Sequence, residues 1–177
     1  KKRKSKVFLD LKLHDIPNTV KSAVESLSKI NPDYLTVHIS GGRSMLENAL
    51  KIVSKKKLKT KLLGVTLLTS LDGYDSKSIY GQKNINLIVK KFAGIASRAH
   101  IHGLICSGKE LHELRQFKKL LKITPGVKMF KRKDDQKRVA YVHDAINNGA
   151  MNFVMWDVSL LKKKAEVKYY ELHSSDN

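Results

Sequence analysis

The sequence predicts an α/β fold in which short strands alternate with helices to build a parallel sheet. Six short apolar runs rich in Val, Ile, Leu and Phe are the first observation. Stretches with helical periodicity separate these runs, and successive runs begin roughly 30 residues apart, the size of one strand–helix–strand unit. Strands that are apolar on both faces are typical of a parallel sheet covered by helices.

Six strands and six helices are predicted along the chain. The strands lie near residues 7–12, 34–39, 62–68, 102–106, 119–124 and 152–156. The helices lie near residues 17–30, 43–54, 78–98, 109–117, 140–148 and 159–172. Pro17 suits the first turn of the first helix, where a backbone N–H would have no partner, and Pro32 ends that helix. Gly149 is a suitable stop for the fifth helix, so six strand–helix units follow.

Length and composition predict a single domain over residues 1–177, with a basic amino-terminal arm at residues 1–6. Cys106 is the only cysteine, which excludes a disulfide framework and a cysteine metal site, and its apolar neighbours predict a buried thiol. No apolar run approaches the ~18 residues of a membrane span, so no membrane partner is expected. The basic start lacks the apolar segment of a secretory signal, and we expect a mitochondrial or cytoplasmic protein.

The chain is strongly basic, with 35 Lys and Arg against 16 Asp and Glu and a formal net charge of +19. Solubility of a small domain needs only about 2–8 charges. An excess spread over the whole chain is typical of proteins with a polyanionic partner, most often nucleic acid, and a general bias towards lysine is the alternative explanation. The residues that would contact RNA phosphates are Lys55, Lys56, Lys57, Lys131, Arg132, Lys133, Lys162, Lys163 and Lys164.

The first predicted strand carries charged residues. Asp10 and Lys12 stand two residues apart within an apolar run, and Asp15 follows three residues later. Because side chains alternate along a strand, Asp10 and Lys12 share one face and Asp15 falls just past the strand end. Charges in an apolar strand cost free energy unless they are paired or used. This carboxylate–ammonium–carboxylate array therefore predicts a functional site.

The pattern Asp-x-Lys-x-x-Asp-Ile-Pro-Asn-Thr over residues 10–19 resembles the orotidine 5′-monophosphate decarboxylase family. Five further matches to the family follow in order at residues 37–42, 64–70, 103–107, 124–127 and 135–139. Six ordered matches in one chain indicate common descent. The resemblance implies a TIM-type (β/α)8 barrel, for which about 250 residues are typical. The first predicted strand matches the third strand of the family, so we expect a truncated or split barrel with about six βα units.

The resemblance also implies a reaction, the decarboxylation of orotidine 5′-monophosphate without a metal or an organic cofactor. Asp10 would lie against the substrate carboxylate, and Lys12 would donate a proton to the carbanion at pyrimidine C6. Asp15 and Thr19 would reach the site of a partner subunit, which makes a homodimer an expected assembly. The substrate-binding residues that the matches imply are Thr19, Thr69, Pro125 and Gln136.

Two departures from the family favour an inactive protein. A lysine from the second strand of the family and an aspartate from the first have no counterpart in the six predicted strands. The family ends its eighth strand with Gly-Arg, whose arginine holds the substrate phosphate, whereas this chain has Trp156 and Asp157 at that place. A carboxylate repels the phosphate that a guanidinium would bind, so the phosphate clamp is expected to be lost.

Two functional hypotheses follow. The first is an inactive relative that serves as a structural, RNA-associated component of a ribonucleoprotein particle such as a mitochondrial ribosome, with RNA and neighbouring proteins as partners. The alternative is an active carboxy-lyase of pyrimidine (UMP) biosynthesis, whose amino-terminal strands are supplied elsewhere and whose substrate phosphate is held by Gln136 and nearby lysines. The reversed charge at Asp157 and the net charge of +19 favour the first hypothesis.

Overall fold

Seven strands form one sheet in the same order as they occur in the chain. The computed structural model describes residues 6–125, 152–156 and 167–171. Neighbouring strands from the first to the sixth pair in parallel, and the seventh pairs antiparallel with the sixth. The strands are β1 (Phe8–Leu13), β2 (Tyr34–His38), β3 (Lys61–Val65), β4 (Gly103–Ile105), β5 (Leu121–Pro125), β6 (Asn152–Trp156) and β7 (Val167–Glu171).

Helices connect the first four strands and cover one face of the sheet. They are α1 (Pro17–Leu27), α2 (Gly42–Lys55), α3 (Gly73–Tyr80) and α4 (Ile85–Arg98), and short 3-10 turns span Ile39–Gly41 and Gly108–Leu114. Pro17 is the first residue of α1, as predicted. Parallel strands joined through helices confirm the α/β fold class.

The core divides into two groups of buried side chains, one on each face of the sheet. The larger group joins the helices to outward-facing strand residues such as Leu35, Val37 and Leu62. The smaller group consists of Tyr34, Leu63, Val65, Ile105 and Ile123. Side chains two residues apart on a strand share a face, so Thr36 and His38 of β2 lie on the same face as this smaller group.

Several predicted helices take a different form. The helix predicted over 78–98 is two helices, because Gly81 has a left-handed φ of 70° that ends α3, and the Asn84 side chain caps α4 by accepting from Leu87 N–H. The helix predicted over 109–117 is a 3-10 turn, which Ser107 begins with a capping box. Predicted strand bounds are correct to within a few residues.

The helix predicted over 159–172 is wrong in its last part, because residues 167–171 form β7. Val167, Tyr169 and Tyr170 are β-branched or aromatic residues, which favour strands over helices. The segment pairs with β6 from Glu171 opposite Asn152 to Val167 opposite Trp156. The predicted helix over 140–148 and the first part of the predicted sixth helix lie outside the described residues.

Candidate active site

Asp10 and Lys12 lie at a bulge in β1. The pairing of β1 with β2 shifts register between Leu9 and Leu13, and Lys12 has a left-handed φ of 48°. A residue with a side chain rarely adopts this conformation, and such strain is concentrated at functional sites. The Lys12 Nζ lies 2.5 Å from Oδ2 of Asp10, so the predicted carboxylate–ammonium pair is present.

Thr36 of β2 holds this pair in place, and sequence reasoning did not identify it. Its hydroxyl donates a 2.8 Å hydrogen bond to Oδ1 of Asp10 and accepts one of 2.8 Å from the backbone N–H of Lys12. The Thr36 side chain is fully buried, so its position is fixed by packing. Both carboxylate oxygens of Asp10 are therefore engaged, one by Thr36 and the other by Lys12. A threonine between Leu35 and Val37 in β2 was the available signal.

Two histidines stand beside the pair. The rings of His14 and His38 lie 5.1 Å apart between centroids, and the Ser40 hydroxyl lies 3.3 Å from Nε2 of His14. Burial lowers the pKa of His38, the charges of His14 and Lys12 lower it further, and Asp10 acts in the opposite direction. His38 is therefore neutral at physiological pH and adds no positive charge next to Lys12.

Asp15 and Thr19 lie on the surface, apart from the Asp10–Lys12 pair. Oδ1 of Asp15 accepts a 2.7 Å hydrogen bond from the backbone N–H of Ile16, and Asp15 forms no ion pair with any described residue. Thr19 is exposed in the first turn of α1. Ile16, which follows Asp15 in the chain, is 67% exposed.

The remaining substrate-binding candidates that are described lie at the same edge of the sheet. Thr69 is half-buried in the loop that follows β3, and Pro125 is half-buried as the last residue of β5. The carboxyl ends of parallel strands lie on one side of the sheet, which places both residues on the side of Lys12. Gln136 and Asp157 lie outside the described residues, and Trp156 is the last residue of β6.

Cys106 follows β4 at this edge and is 2% exposed, which confirms the predicted buried thiol. Burial raises the pKa of Cys106, and the charge of Glu110 raises it further, so the group is no nucleophile. Glu110 is itself buried and accepts a 3.0 Å hydrogen bond from the backbone N–H of Ser107. This hydrogen bond stabilises the turn after β4.

The basic residues at the end of α2 are exposed and only partly available for contact. Lys55 ends α2, Lys57 has a left-handed φ of 51°, and the Nζ of Lys56 lies 3.2 Å from Oε1 of Glu25. The other RNA-contact candidates lie outside the described residues; they are Lys131, Arg132, Lys133, Lys162, Lys163 and Lys164.

The described part of the chain contains neither a metal-ligand cluster nor a membrane-spanning helix. No three His, Cys, Asp or Glu side chains within it are grouped to hold a metal ion. None of its helices has the length and apolar character needed to cross a membrane.

A model of the family described as "Orotidine 5'-phosphate decarboxylase / HUMPS family" matches residues 1–155 of this chain. The chain belongs to this family. The match ends one residue before Trp156, so the proposed site of the phosphate clamp lies beyond the part that the family model aligns. The predicted family resemblance is thereby confirmed, and its main segments fall within the matched residues.

Curated relatives carry the decarboxylase name. An orotidine 5'-phosphate decarboxylase of Wolbachia from Brugia malayi is 47% identical over 145 residues, which cover 81% of this chain and 64% of the relative. The chain thus spans less than two thirds of the length of this relative.

Solved structures confirm the barrel relationship. A conserved protein from Geobacillus kaustophilus matches with a TM-score of 0.72 and 27% identity, over 90% of this chain and 70% of that one. An orotidine 5'-phosphate decarboxylase from Lactobacillus acidophilus matches with a TM-score of 0.66 and 32% identity, over 82% of this chain and 63% of that one. The described sheet is a truncated TIM-type α/β fold of the decarboxylase family, as the sequence predicted.

Proposed function

We propose that this chain contributes the catalytic aspartate–lysine pair of an orotidine 5′-monophosphate decarboxylase, a carboxy-lyase of pyrimidine biosynthesis. The observation that carries the proposal is the 2.5 Å contact between Lys12 and Asp10, fixed by the buried Thr36 at the substrate side of a family barrel. The family membership and the names of the relatives support the same reaction.

The charge arrangement suits the decarboxylation. Asp10 lies against the carboxylate of the substrate, and repulsion between the two anions is relieved when carbon dioxide leaves. The bond between C6 and the carboxylate carbon breaks, and its electron pair stays on C6. The Lys12 ammonium then donates a proton to C6, and solvent restores the proton to the amine. Neither a metal nor an organic cofactor enters these steps.

The substrate is held by residues from several strand ends in this proposal. Thr69 and Pro125 border the pyrimidine, and Gln136 with nearby lysines holds the phosphate. Asp15 and Thr19 complete the site of a partner subunit in a homodimer. The exposed side chain of Ile16, which follows Asp15 in the chain, supplies apolar surface that such a dimer would bury.

In this proposal, strands that are not among the six βα units supply part of the active site. The family barrel has two further strands, which carry an aspartate and a lysine of the active site, and this chain spans 64% of its Wolbachia relative. At the end of β6, Trp156 and Asp157 replace the Gly-Arg of the family, which moves the phosphate contact to Gln136 and lysines in our proposal.

The deciding experiment measures carbon dioxide release from orotidine 5′-monophosphate. The chain is assayed alone and joined to the first two strand–helix units of the Wolbachia relative. We expect turnover from the joined protein and its loss in Asp10→Asn and Lys12→Ala variants, whereas Lys51→Ala, an exposed position on α2, keeps full activity. A joined protein that folds and binds UMP but releases no carbon dioxide contradicts the proposal.

The hypothesis of an inactive ribonucleoprotein component stays a prediction that depends on the net charge of +19 and on Asp157. Neither the family match nor the named relatives favour it over decarboxylation. It predicts RNA binding whose affinity falls steeply with salt, because each phosphate contact releases counterions. The mitochondrial or cytoplasmic location likewise stays a prediction.

A further inference from the structure

A cleft lies at the amino-terminal ends of β3, β4 and β5, at the opposite end of the strands from the candidate active site. Its volume is about 620 Å³, within the range of pockets that bind small molecules. The amino-terminal face of a TIM barrel ordinarily serves stability and carries no ligand site. A cleft of this size on that face therefore calls for a functional explanation.

The lining of the cleft combines cations with apolar surface. Lys61, Lys118 and Lys119 contribute three exposed ammonium groups, and none of them forms an ion pair with another residue of the described part. Leu121, which is half-buried, supplies apolar surface to the cleft, whereas Ile101 and Leu120 beside it are almost fully buried. A ligand that fits must carry negative charge at one end and an apolar or aromatic group at the other.

Hydrogen bonds from Lys122 fix the loop that carries Lys118 and Lys119. The buried Lys122 donates hydrogen bonds to the carbonyl oxygens of Phe117 at 2.9 Å and Leu120 at 3.2 Å, which flank Lys118 and Lys119. A third hydrogen bond runs from Leu120 N–H to the same Phe117 carbonyl at 3.1 Å. Such preorganisation lowers the entropy that a ligand would otherwise lose when the loop becomes ordered.

His102 adds a donor on the opposite wall. Its Nδ1 accepts a 3.0 Å hydrogen bond from the backbone N–H of Leu62, so the neutral ring carries its proton on Nε2. The same residue ties the strands together, since its N–H donates to the Leu62 carbonyl and its carbonyl accepts from Leu121 N–H, both at 3.1 Å. The Nε2–H group can therefore donate a hydrogen bond to an oxygen atom of a ligand, and the hydrogen bonds of His102 fix the position of this donor.

We propose that this cleft binds a phosphorylated small molecule with an aromatic portion, of the class of the nucleoside phosphates. The phosphates lie among Lys61, Lys118 and Lys119, where charge-assisted hydrogen bonds form. The aromatic portion lies against the half-buried side chain of Leu121. A single cleft with an apolar floor favours a small molecule over a nucleic-acid backbone, which contacts an extended basic surface. This site is independent of the decarboxylase reaction.

The test is calorimetric titration of the full chain with ATP, with pyrophosphate as the phosphate-only probe and adenosine as the base-only probe. We expect ATP to bind more tightly than either, because it alone engages both parts of the cleft. The double variant Lys118→Ala/Lys119→Ala weakens ATP binding by about tenfold or more, since each charged hydrogen bond contributes strongly. The control Lys51→Ala/Lys91→Ala removes the same charge from exposed helix positions and keeps the affinity within about twofold.

Four results would overturn the proposal. The first is the absence of ATP binding tighter than about 1 mM, and the second is an equal loss of ATP affinity in the two double variants. The third is binding of pyrophosphate or adenosine as tightly as ATP. The fourth is binding of a short single-stranded RNA without binding of ATP. The last result would assign the surface to nucleic acid. All four substitutions replace exposed residues, and unchanged thermal unfolding establishes that the variants are folded.

Discussion

The hydroxyl of Thr36 donates a 2.8 Å hydrogen bond to Asp10, from one parallel strand to its neighbour. The two residues are 26 positions apart in the chain. The same hydroxyl accepts the backbone N–H of Lys12, so a single buried oxygen fixes both the carboxylate and the bulge that carries the ammonium. In the proposed decarboxylation Thr36 is a positioning residue, because it would act on the substrate only through Asp10 and Lys12.

Replacing Thr36 by Val removes the hydroxyl and keeps the shape of the side chain. We expect kcat of the joined decarboxylase to fall by about 10- to 100-fold, because a displaced catalytic group loses its alignment. KM should change little, and the free energy of unfolding should fall by about 1–2 kcal/mol as Lys12 N–H loses its acceptor. Thr36→Ser restores the hydroxyl and should recover most of kcat. Equal kcat for Thr36→Val and the parent protein would remove the positioning role.

Replacing Lys12 by Arg keeps the positive charge and the ion pair with Asp10. A guanidinium remains protonated in proteins, so it cannot donate a proton to the C6 carbanion. We expect kcat to fall by about 10²–10⁴-fold, the contribution typical of a general acid. Urea unfolding should show little change in stability, which separates lost proton transfer from lost structure. A Lys12→Arg protein with kcat near that of the parent would contradict the proposed role of Lys12 as proton donor.

Gly64 in β3 has no room for a side chain. A Cβ there would stand 2.6 Å from Cγ1 of Ile39 and 2.7 Å from Cδ1 of Ile101. We expect Gly64→Ala to lower the free energy of unfolding by about 1–3 kcal/mol through overpacking. Gly94→Ala is the matched control in α4, where only the flexible Arg98 guanidinium is near, and it should stabilise by up to about 1 kcal/mol. Urea denaturation measures both, and an unchanged midpoint for Gly64→Ala would contradict the packing described.

Asp33 ties the amino-terminal end of β1 to the connection before β2. Its carboxylate accepts a 2.7 Å hydrogen bond from Val7 N–H and lies 3.1 Å from Nζ of Lys59. The hydrogen bond to Val7 is the main cause that lowers the pKa of Asp33 below its ordinary 3.8, and Lys59 lowers it further against the effect of burial. We expect Asp33→Asn to destabilise the chain at pH 7 by about 1 kcal/mol.

The pH dependence of this contribution follows from the direction of the shift. A carboxylate with a lowered folded pKa stabilises fully above the unfolded value of 3.8, and the contribution disappears as the pH falls through the folded pKa. Urea unfolding at pH 7 and at pH 3 should therefore show a smaller difference between Asp33→Asn and the parent at pH 3. Glu47→Gln, in an exposed pair with Arg43, is the control and should change stability by less than about 0.5 kcal/mol. A difference that grows at low pH would contradict the assignment.

Local features of the fold could be predicted from the sequence where the signal is periodic. Apolar runs predicted strands β1 to β6, and Pro17 predicted the start of α1. The signal was misread for Val167–Glu171, which was predicted as the end of a helix over 159–172 although its Val and Tyr residues favour a strand. The break between α3 and α4 was signalled by Gly81 and Asn84 but lies within one continuous periodic stretch.

By itself, the sequence determined the family, the alternation of strands and helices, the placing of Asp10 and Lys12 on one strand face, and the burial of Cys106. Only the tertiary structure decided that Thr36 holds Asp10, that β1 bulges at Lys12, and that Lys61, His102 and Lys119 border one cleft. The physical reason is that periodicity records which face of an element is buried, whereas contacts between strands depend on register, which is set by packing across the whole sheet.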